Sequence, residues 1–329
     1  MSKLVTIFGG SGFVGRYIAQ QLAMKGWRVR VAVRRPNEAL HVRPYGAVGQ
    51  VEPVFCNIRD DASVEAVTRG SDAVVNCVGT FDRKGKNNFG AVQADGAERV
   101  ARIAAAHGVK NLVHISALGI DRDELSEYAR TKRAGEAGIL AQFPNAMILR
   151  PSVIFGQEDG FFNRFASMSR MGPIFPLMGG NTKFQPVYVM DVASAAVMGV
   201  EGKASGIYEL GGPETKTLRG WIDVILAEVH RTKPIFNAPI FVGRMMAWGL
   251  DLMQTLTFGI AKNGLITRDQ VKQLKTDNVV QEGAKTFADL GIVATAPEAV
   301  IESYLWRYRP SGQYDAIRDS AKNLNILAL

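Results

Sequence analysis

Cysteine is scarce in this sequence, because only Cys56 and Cys77 occur among its 329 residues. Both lie among apolar neighbours, and their spacing does not match that of a metal site. We therefore expect neither a disulfide nor a metal site, and we interpret both cysteines as small buried apolar side chains. Free thiols of this kind are typical of a protein in a reducing compartment.

Long hydrophobic runs are also missing. No uninterrupted apolar stretch reaches the roughly 18 residues that suggest a membrane-spanning helix, so none is predicted. The first strand-like run begins at about residue 3, and we therefore expect no signal or transit peptide. No RNA- or DNA-reading motif occurs, so nucleic acid is not an expected partner. The four histidines are isolated or lie in a strand, and they suggest no mechanism.

The composition is otherwise that of an ordinary globular protein with a basic excess. Apolar residues make up 47% and charged residues 21%, so a large core can form. The length suggests two domains, or one large α/β domain with an appendage. The formal net charge of +8 favours an anionic partner such as a nucleotide, a phospholipid surface or an acidic protein face.

A glycine-rich turn lies near the start of the chain, between a strand and a helix. The apolar run 4–8 predicts a buried strand, and residues 17–22 have apolar side chains at helical spacing. Glycines between them allow a tight turn, a close approach of the backbone to a pyrophosphate and close helix–strand packing. The free N–H groups that begin the helix then face the phosphates. We predict a dinucleotide site whose phosphate loop comprises Gly9, Gly10, Ser11, Gly12, Phe13, Val14 and Gly15.

Strand-like and helix-like segments alternate along the rest of the first half. Strands are predicted at 28–33, 51–57, 73–79, 111–116, 146–151 and 206–210, and helices at 62–69, 89–107 and about 124–142. Alternating βα units predict an α/β fold of Rossmann type, a doubly wound parallel sheet with a smaller, mostly helical C-terminal region. The ligand is expected over the carboxyl ends of the strands.

The residues after the second strand indicate which nucleotide binds. Dinucleotide folds commonly carry an Asp or Glu about 20 residues beyond the glycines, where it holds the ribose hydroxyls. This strand instead ends in Arg34 and Arg35, which suit a 2′-phosphate and predict NADPH rather than NADH. Alternatively, both arginines belong to a solvated turn before Pro36. After the third strand, Asn57 and Ile58 are expected at the adenine, although Asn57 could instead cap the following helix.

Ser116, Tyr128 and Lys132 form a candidate catalytic set. Tyr128 and Lys132 lie four residues apart on one face of a predicted helix, and Ser116 ends the fifth strand. Lys132 would favour the phenolate and bind the nicotinamide ribose, Tyr128 would transfer a proton, and Ser116 would polarise the substrate oxygen. Because Y-x-x-x-K also occurs by chance in helices, its position after the fifth strand is what favours contact with the cofactor. Contact need not mean turnover.

Together these features resemble the short-chain dehydrogenase/reductase superfamily, in its extended or atypical branch, over about residues 3–235. The residues that carry the resemblance are the glycine turn, Ser116, Tyr128, Lys132 and the segments 57–58, 76–80, 150–156 and 186–193. The resemblance implies further cofactor contacts from Val78, Gly79, Thr80, Pro151 and Val153. In the last segment, Asp191 is expected to cap a helix rather than to take part in chemistry.

A narrower resemblance lies in residues 149–165, LRPSVIFGQEDGFFNRF, which are similar to the signature of the nucleotide-binding accessory subunit of respiratory complex I, the NADH:ubiquinone oxidoreductase. That resemblance implies one tightly held NADPH that serves assembly or stability rather than redox turnover. It also implies contacts with other complex I subunits, beside the membrane and near the quinone entry. The bacterial form of the family fits the expected lack of a presequence, and it implies a peripheral location on the cytoplasmic face of the bacterial inner membrane.

Two other functions remain open at this point. One is a free NADP-dependent short-chain reductase or epimerase that uses Tyr128, Lys132 and Ser116. The other is a nucleotide-sensing regulator that shares the cofactor contacts but releases its nucleotide readily. The narrow signature and the long C-terminal region favour the accessory subunit.

The βα alternation weakens after about residue 156, which suggests how the chain divides. We expect a dinucleotide-binding domain that comprises residues 1–156 and about 187–212. A substrate-side or docking region is expected at 157–186 and 213–309, and a tail at 310–329.

Two helices are predicted within the docking region. The first runs from Leu218 to Val229, and the second is an amphipathic helix over 239–262 that is rich in Met and contains a Trp. An apolar stripe usually packs on the core of its own domain. The Met and Trp content and the basic excess over 213–275 instead favour a partner protein or an anionic membrane surface.

Overall fold

The computed structural model describes residues 2–82, 85–122, 126–237 and 276–314, together with 317, 320 and 321. The chain divides into two compact units, each made of segments that are separated in sequence. Unit 1 contains Met1–Ser152, Val187–Gly212 and Val279–Thr295, and unit 2 contains Val153–Pro186, Pro213–Asn278 and Ala296–Leu329.

Strands and helices alternate through most of the described chain. The strands are β1 (Leu4–Phe8), β2 (Arg28–Val33), β3 (Val51–Phe55), β4 (Ala73–Asn76), β5 (Asn111–Ile115), β6 (Met147–Pro151), β7 (Ile154–Phe155), β8 (Phe175–Leu177), β9 (Lys183–Phe184), β10 (Val187–Tyr188), β11 (Gly206–Leu210), β12 (Lys216–Thr217) and β13 (Ile235–Asn237). The helices are α1 (Phe13–Met24), α2 (Asp61–Thr68), α3 (Asp95–Ala106), α4 (Glu127–Gln142), α5 (Phe162–Met168), α6 (Val189–Val200), α7 (Leu218–Glu228) and α8 (Glu298–Leu305).

Unit 1 contains a seven-stranded sheet in the order β11-β6-β5-β4-β1-β2-β3, in which every pair is parallel. The central strands β1, β4, β5 and β6 are mostly apolar and buried, as expected when helices cover both faces, whereas β2 and β3 near one edge each expose some residues. Because β1 and β4 are neighbours but not consecutive, the winding reverses between them, and a crevice opens at their carboxyl ends. The predicted Rossmann-type α/β fold is therefore confirmed.

Helices pack on both faces of this sheet. On one face, α2, α3 and α4 contribute Val64, Val100 and Ile139 to one buried cluster with strand residues. On the other face, α6 lies so close to the sheet that a Cβ on Gly199 would sit 2.5 Å from the Met147 Sδ. Helices α1 and α6 contact each other there.

Several predicted elements end earlier than expected. The strands predicted to reach 57 and 79 stop at Phe55 and Asn76. After β4 the chain turns because the Asn76 Oδ1 accepts a hydrogen bond from the Val78 N–H at 3.0 Å. The helix predicted over 89–107 is divided, since a π-helical turn at Gly90–Ala94 precedes α3. The helix predicted from Leu218 is confirmed as α7.

A late segment of the chain, Val279–Thr295, belongs to unit 1 and is called the return segment below. The Gln281 N–H donates to the Glu209 carboxylate at 2.8 Å, and the Glu209 N–H donates to the Lys285 carbonyl at 2.8 Å. Asp191 accepts hydrogen bonds from the Thr295 N–H and hydroxyl at 2.7 and 3.1 Å. Asp191 therefore anchors the return segment, and the prediction that it caps α6 is wrong, because Tyr188 occupies the N-cap.

Unit 2 has an aromatic core, in which Phe162 contacts Phe155, Phe161 and Trp221 edge to face. It also contains two short sheets, the parallel pair β8–β13 and the antiparallel pair β9–β12. Within the described part of the chain, no helix is long and apolar enough to cross a membrane. The predicted amphipathic helix over 239–262 and most of the tail after 314 lie outside the described residues.

Candidate functional site

The phosphate loop lies at the carboxyl end of β1, where the winding of the sheet reverses. Gly9 has a φ of +74°, and its carbonyl accepts the Gly12 N–H at 3.0 Å. Gly12 is the N-cap of α1, and no side chain caps this helix or places an acidic group in its first turn. The N-terminus of α1 is therefore open to an anion, as a phosphate site requires.

Close packing leaves little room for a Cβ at the glycine positions of this loop. A Cβ on Gly15 would lie 2.5 Å from the Gly9 oxygen, and one on Gly12 would lie 3.2 Å from the same atom. A Cβ on Gly9 would lie 3.2 Å from the Val78 Cγ2 in the turn after β4. Ser11, Phe13 and Val14 complete the loop, and all three are half-buried. The glycines of this loop, called the glycine cradle below, fit a pyrophosphate, because its oxygens need direct access to backbone N–H groups.

Arg34 and Arg35 follow β2 and are both exposed. Arg35 pairs with Glu38 at 3.0 Å, whereas Arg34 has no ion pair within the described part of the chain. Glu38 is the first carboxylate after β2, so no acidic side chain occupies the position that would hold a ribose 2′-hydroxyl. The two guanidinium groups could therefore receive a phosphate at that position.

Asn57 and Ile58 follow β3. The Asn57 Oδ1 accepts the Arg59 N–H at 3.3 Å, while Asp60 caps α2 by accepting the Ser63 N–H at 2.7 Å. The alternative role of Asn57 as the helix cap is therefore not what the structure shows. Ile58 is buried, and it packs 3.3 Å from the Cβ position of Gly96 on α3, so it belongs to the core cluster.

The structure brings Ser116 and Lys132 together at the end of β5. The Lys132 Nζ donates to the Ile115 carbonyl at 3.1 Å, next to Ser116. Both side chains are almost fully buried, and the Ser116 Oγ has no hydrogen-bond partner within the described residues. The Nδ2 of Asn76, on neighbouring β4, is likewise buried and unpartnered. These two unpartnered polar atoms, at the carboxyl ends of β4 and β5, fit a polar ligand there.

Tyr128 lies one turn before Lys132 on α4, between two phenylalanines. Its ring stacks on Phe81 with centroids 5.8 Å apart and meets Phe89 edge to face at 5.9 Å. Thr80, which precedes Phe81, accepts a hydrogen bond at its carbonyl from the Gln93 side chain. Sequence reasoning missed Phe81 and Gln93, since they form no motif and their contacts arise only in the folded chain.

Burial dominates the electrostatics of the site. Burial raises the pKa of Tyr128 to about 12, and no charge opposes this shift. Burial lowers the pKa of Lys132 to about 8, although Glu136 and Cys77 act in the opposite direction. Burial and the nearby Lys132 ammonium hold the pKa of His114 well below its usual range. Tyr128 is therefore a neutral phenol near neutral pH.

The remaining predicted contacts lie in several places. Val78 and Thr80 are half-buried and Gly79 is exposed, all in the turn after β4. Pro151 ends β6, and its carbonyl accepts the Leu118 N–H at 2.9 Å. Val153 belongs to unit 2, where its N–H donates to the Asn278 Oδ1 at 3.2 Å. Among the residues that the structure describes, no group of His, Cys, Asp and Glu side chains could hold a metal ion.

Nucleotide affinity should decrease as the pH rises above about 8, the pKa of Lys132. A bound nucleotide that contacts the ammonium favours the protonated form, so affinity is highest below this pKa and falls by up to about tenfold per pH unit above it. Fluorescence titrations with NADPH on both sides of this pKa would measure the change. Lys132→Met should bind more weakly and lose the pH dependence. If the dependence persists in that variant, another group is responsible.

Comparison with known proteins adds an independent observation. The model of the NAD dependent epimerase/dehydratase family matches residues 5–211. The chain is 32% identical to the mitochondrial NADH dehydrogenase (ubiquinone) 1 alpha subcomplex subunit 9 of Arabidopsis thaliana, over 94% of this chain and 79% of that protein. It is 29% identical to the ceramide reductase of Caulobacter vibrioides, over 79% of this chain and 82% of that enzyme.

A solved structure shares the fold. The Bordetella bronchiseptica enzyme WbmG, crystallised in complex with NAD, superposes with a TM-score of 0.62 and 19% identity. The match covers 73% of this chain and 82% of that chain.

Proposed function

Because this chain belongs to the NAD dependent epimerase/dehydratase family and is homologous to complex I subunits, we propose that it is an NADPH-binding accessory subunit of respiratory complex I. The observation that carries the proposal is the extent of the match. It covers 94% of the chain and therefore includes unit 2 as well as the nucleotide fold. A subunit of an assembly needs surfaces beyond its nucleotide site, and unit 2 provides them.

Three features of unit 1 support NADPH as the bound nucleotide. The glycine cradle and the open N-terminus of α1 suit a pyrophosphate. Arg34 and Arg35 stand where an NAD-specific site would carry a carboxylate, and they suit a 2′-phosphate. Ser116 and Lys132 offer a hydroxyl and an ammonium to the ribose and nicotinamide end. Bound NADPH supplies a transferable hydride, but the proposal gives it a structural role.

The structural role fits the chemistry of Tyr128 and Lys132. Tyr128 packs in an apolar aromatic contact, and Lys132 already donates to a backbone carbonyl. A tightly bound nucleotide also stabilises the folded state by mass action. At a thousandfold excess over Kd the gain is about 4 kcal/mol, a large part of the stability of an ordinary domain.

The proposed location is the cytoplasmic face of the bacterial inner membrane, as a peripheral subunit near the quinone entry. The net charge of +8 supports contact with an anionic membrane surface. The Met-rich segment 239–262, which lies within the region of basic excess over 213–275, is the proposed region of contact with lipid or with neighbouring complex I subunits.

A free NADP-dependent reductase or epimerase is the second candidate function. The similarity to a ceramide reductase favours it, since Ser116, Tyr128 and Lys132 are all present in this chain. In that case Tyr128 would give a proton to the substrate oxygen while Ser116 holds that oxygen. The two candidates differ in whether the protein is found within an assembly.

Isolation of the tagged protein from its native membrane in mild detergent tests the proposal. We expect the other complex I subunits to accompany it, with close to one NADPH for each copy. A protein that is recovered alone and rapidly oxidises NADPH with a carbonyl compound would contradict the proposal and support the second candidate.

A further inference from the structure

Phe81 has an exposed apolar side chain that is nevertheless fixed in position by its contacts. Its relative exposure is 71%, yet its ring stacks on Tyr128 with an interplanar angle of 10°. Phe89, which is buried, meets the same Tyr128 ring edge to face. One face of the Phe81 ring is thus used, and the rest is available to a ligand.

A chain of hydrogen bonds fixes the turn that carries Phe81. The Gln93 side chain donates to the Thr80 carbonyl at 2.7 Å, and the Gln93 Oε1 accepts the Thr131 hydroxyl at 3.0 Å. Thr131 directly precedes Lys132 on α4. Gln93 is almost fully buried, and a Cβ on Gly135 of α4 would lie 2.2 Å from its backbone oxygen. The turn after β4 is therefore tied to the helix that bears Tyr128 and Lys132.

The same turn also contacts the phosphate loop. A Cβ on Gly9 would lie 3.3 Å from the Cys77 carbonyl and 3.2 Å from the Val78 side chain. The segment from Cys77 to Phe81 therefore runs from the phosphate loop to Tyr128. A dinucleotide whose phosphates lie at the loop and whose ribose reaches Lys132 must pass along this segment.

We infer that Phe81 retains the bound nucleotide, because its fixed and exposed ring lies at the end of the segment that joins the phosphate loop to Tyr128. This inference depends on the proposed function, in which the nucleotide is held rather than exchanged. Burial of the open part of the ring against the nucleotide removes apolar surface from water and slows release. Phe81 is thus a determinant of retention, and Gln93 is a positioning residue that acts through it.

The dissociation rate of NADPH tests this inference. The full chain is loaded with NADPH, excess NADP⁺ is added, and the loss of nucleotide fluorescence is followed. Phe81→Ala should release NADPH about tenfold faster, the equivalent of one good aromatic contact. Phe81→Tyr keeps the ring and should release it at the wild-type rate. Gln93→Met removes the hydrogen bonds that position the turn, and it should change the rate in the same direction as Phe81→Ala.

Phe55 provides a matched control in the same unit. It is 63% exposed at the end of β3 and makes no ring contact within the described chain, so Phe55→Ala should leave the release rate unchanged. A wild-type rate in Phe81→Ala, or an equal increase in Phe55→Ala, would overturn the inference alone. If the wild-type protein itself releases NADPH as soon as it is mixed, the proposed structural role of the nucleotide fails instead.

Discussion

Gly15→Ala should weaken nucleotide binding by at least about a hundredfold, or about 2.7 kcal/mol. The new Cβ would lie 2.5 Å from the Gly9 oxygen and 2.7 Å from the Gly10 Cα, and both are backbone atoms that no rotamer change can move. The loop must therefore shift away from α1, and the shift removes the N–H groups from the phosphate positions. Titration of the purified variant with NADPH measures the loss.

Gly220→Ala is the matched control for this change. Gly220 lies in α7, where a Cβ would be 3.4 Å from the Lys216 Cβ, which is an ordinary contact. Alanine is also more favourable than glycine within a helix, by about 1 kcal/mol. The Gly220→Ala variant should bind NADPH with the affinity of the wild type. If Gly15→Ala binds NADPH within a few-fold of the wild type, the loop is not the phosphate site.

Arg150→Met should destabilise unit 1 by about 3–5 kcal/mol, the cost of leaving a buried charge uncompensated. The Arg150 guanidinium donates to both Glu136 carboxylate oxygens at 2.6 to 3.2 Å, also pairs with Asp121, and lies 4.0 Å from Glu209. Glu136 and Glu209 are almost fully buried. Methionine keeps the volume but not the charge, so the buried Glu136 loses its ion-pair partner and Glu209 loses a nearby positive charge. Urea unfolding measures the change in the free energy of unfolding.

An exposed pair provides the comparison for Arg150. Arg69 bonds Glu65 at 3.2 Å on the surface of unit 1, and the Arg69 side chain is 72% exposed. Arg69→Met should change the free energy of unfolding by less than about 0.5 kcal/mol, because water screens the pair. Equal losses in the two variants would contradict the view that burial gives the Arg150 cluster its importance.

Local patterns in the sequence predict the features of both units that depend on neighbouring residues. The glycine turn, the apolar strands and the helix from Leu218 each depend on spacing within a few residues, and the structure confirms these elements. The sequence does not predict the early ends of β3 and β4. The end of β4 depends on a side-chain hydrogen bond, which the Asn76 Oδ1 accepts from the Val78 N–H. Ile58, which is predicted at the adenine, also packs on α3, and no local pattern indicates this contact.

Contacts between distant parts of the chain explain most of what sequence reasoning missed. The bonds of Asp191 with Thr295 join residues 104 positions apart, so the return segment could not be assigned to unit 1. The narrow signature around residues 157–165 is a comparable case. Its Asp159 accepts the Phe161 and Asn163 N–H groups and the Tyr304 hydroxyl, which ties this turn to α8 in unit 2. The sequence identifies the segment, but only the fold shows that it is bonded to α8.

Tyr128→Phe in the intact assembly tests most directly whether the nucleotide is held or reacts. The substitution removes the hydroxyl but keeps the ring that stacks on Phe81. The measurement is the rate of NADH:ubiquinone reduction by the isolated complex, with its NADPH content determined in the same sample. We expect both to equal the wild-type values. A large loss of rate with NADPH still bound would show that Tyr128 takes part in chemistry, and it would contradict a structural role for the nucleotide.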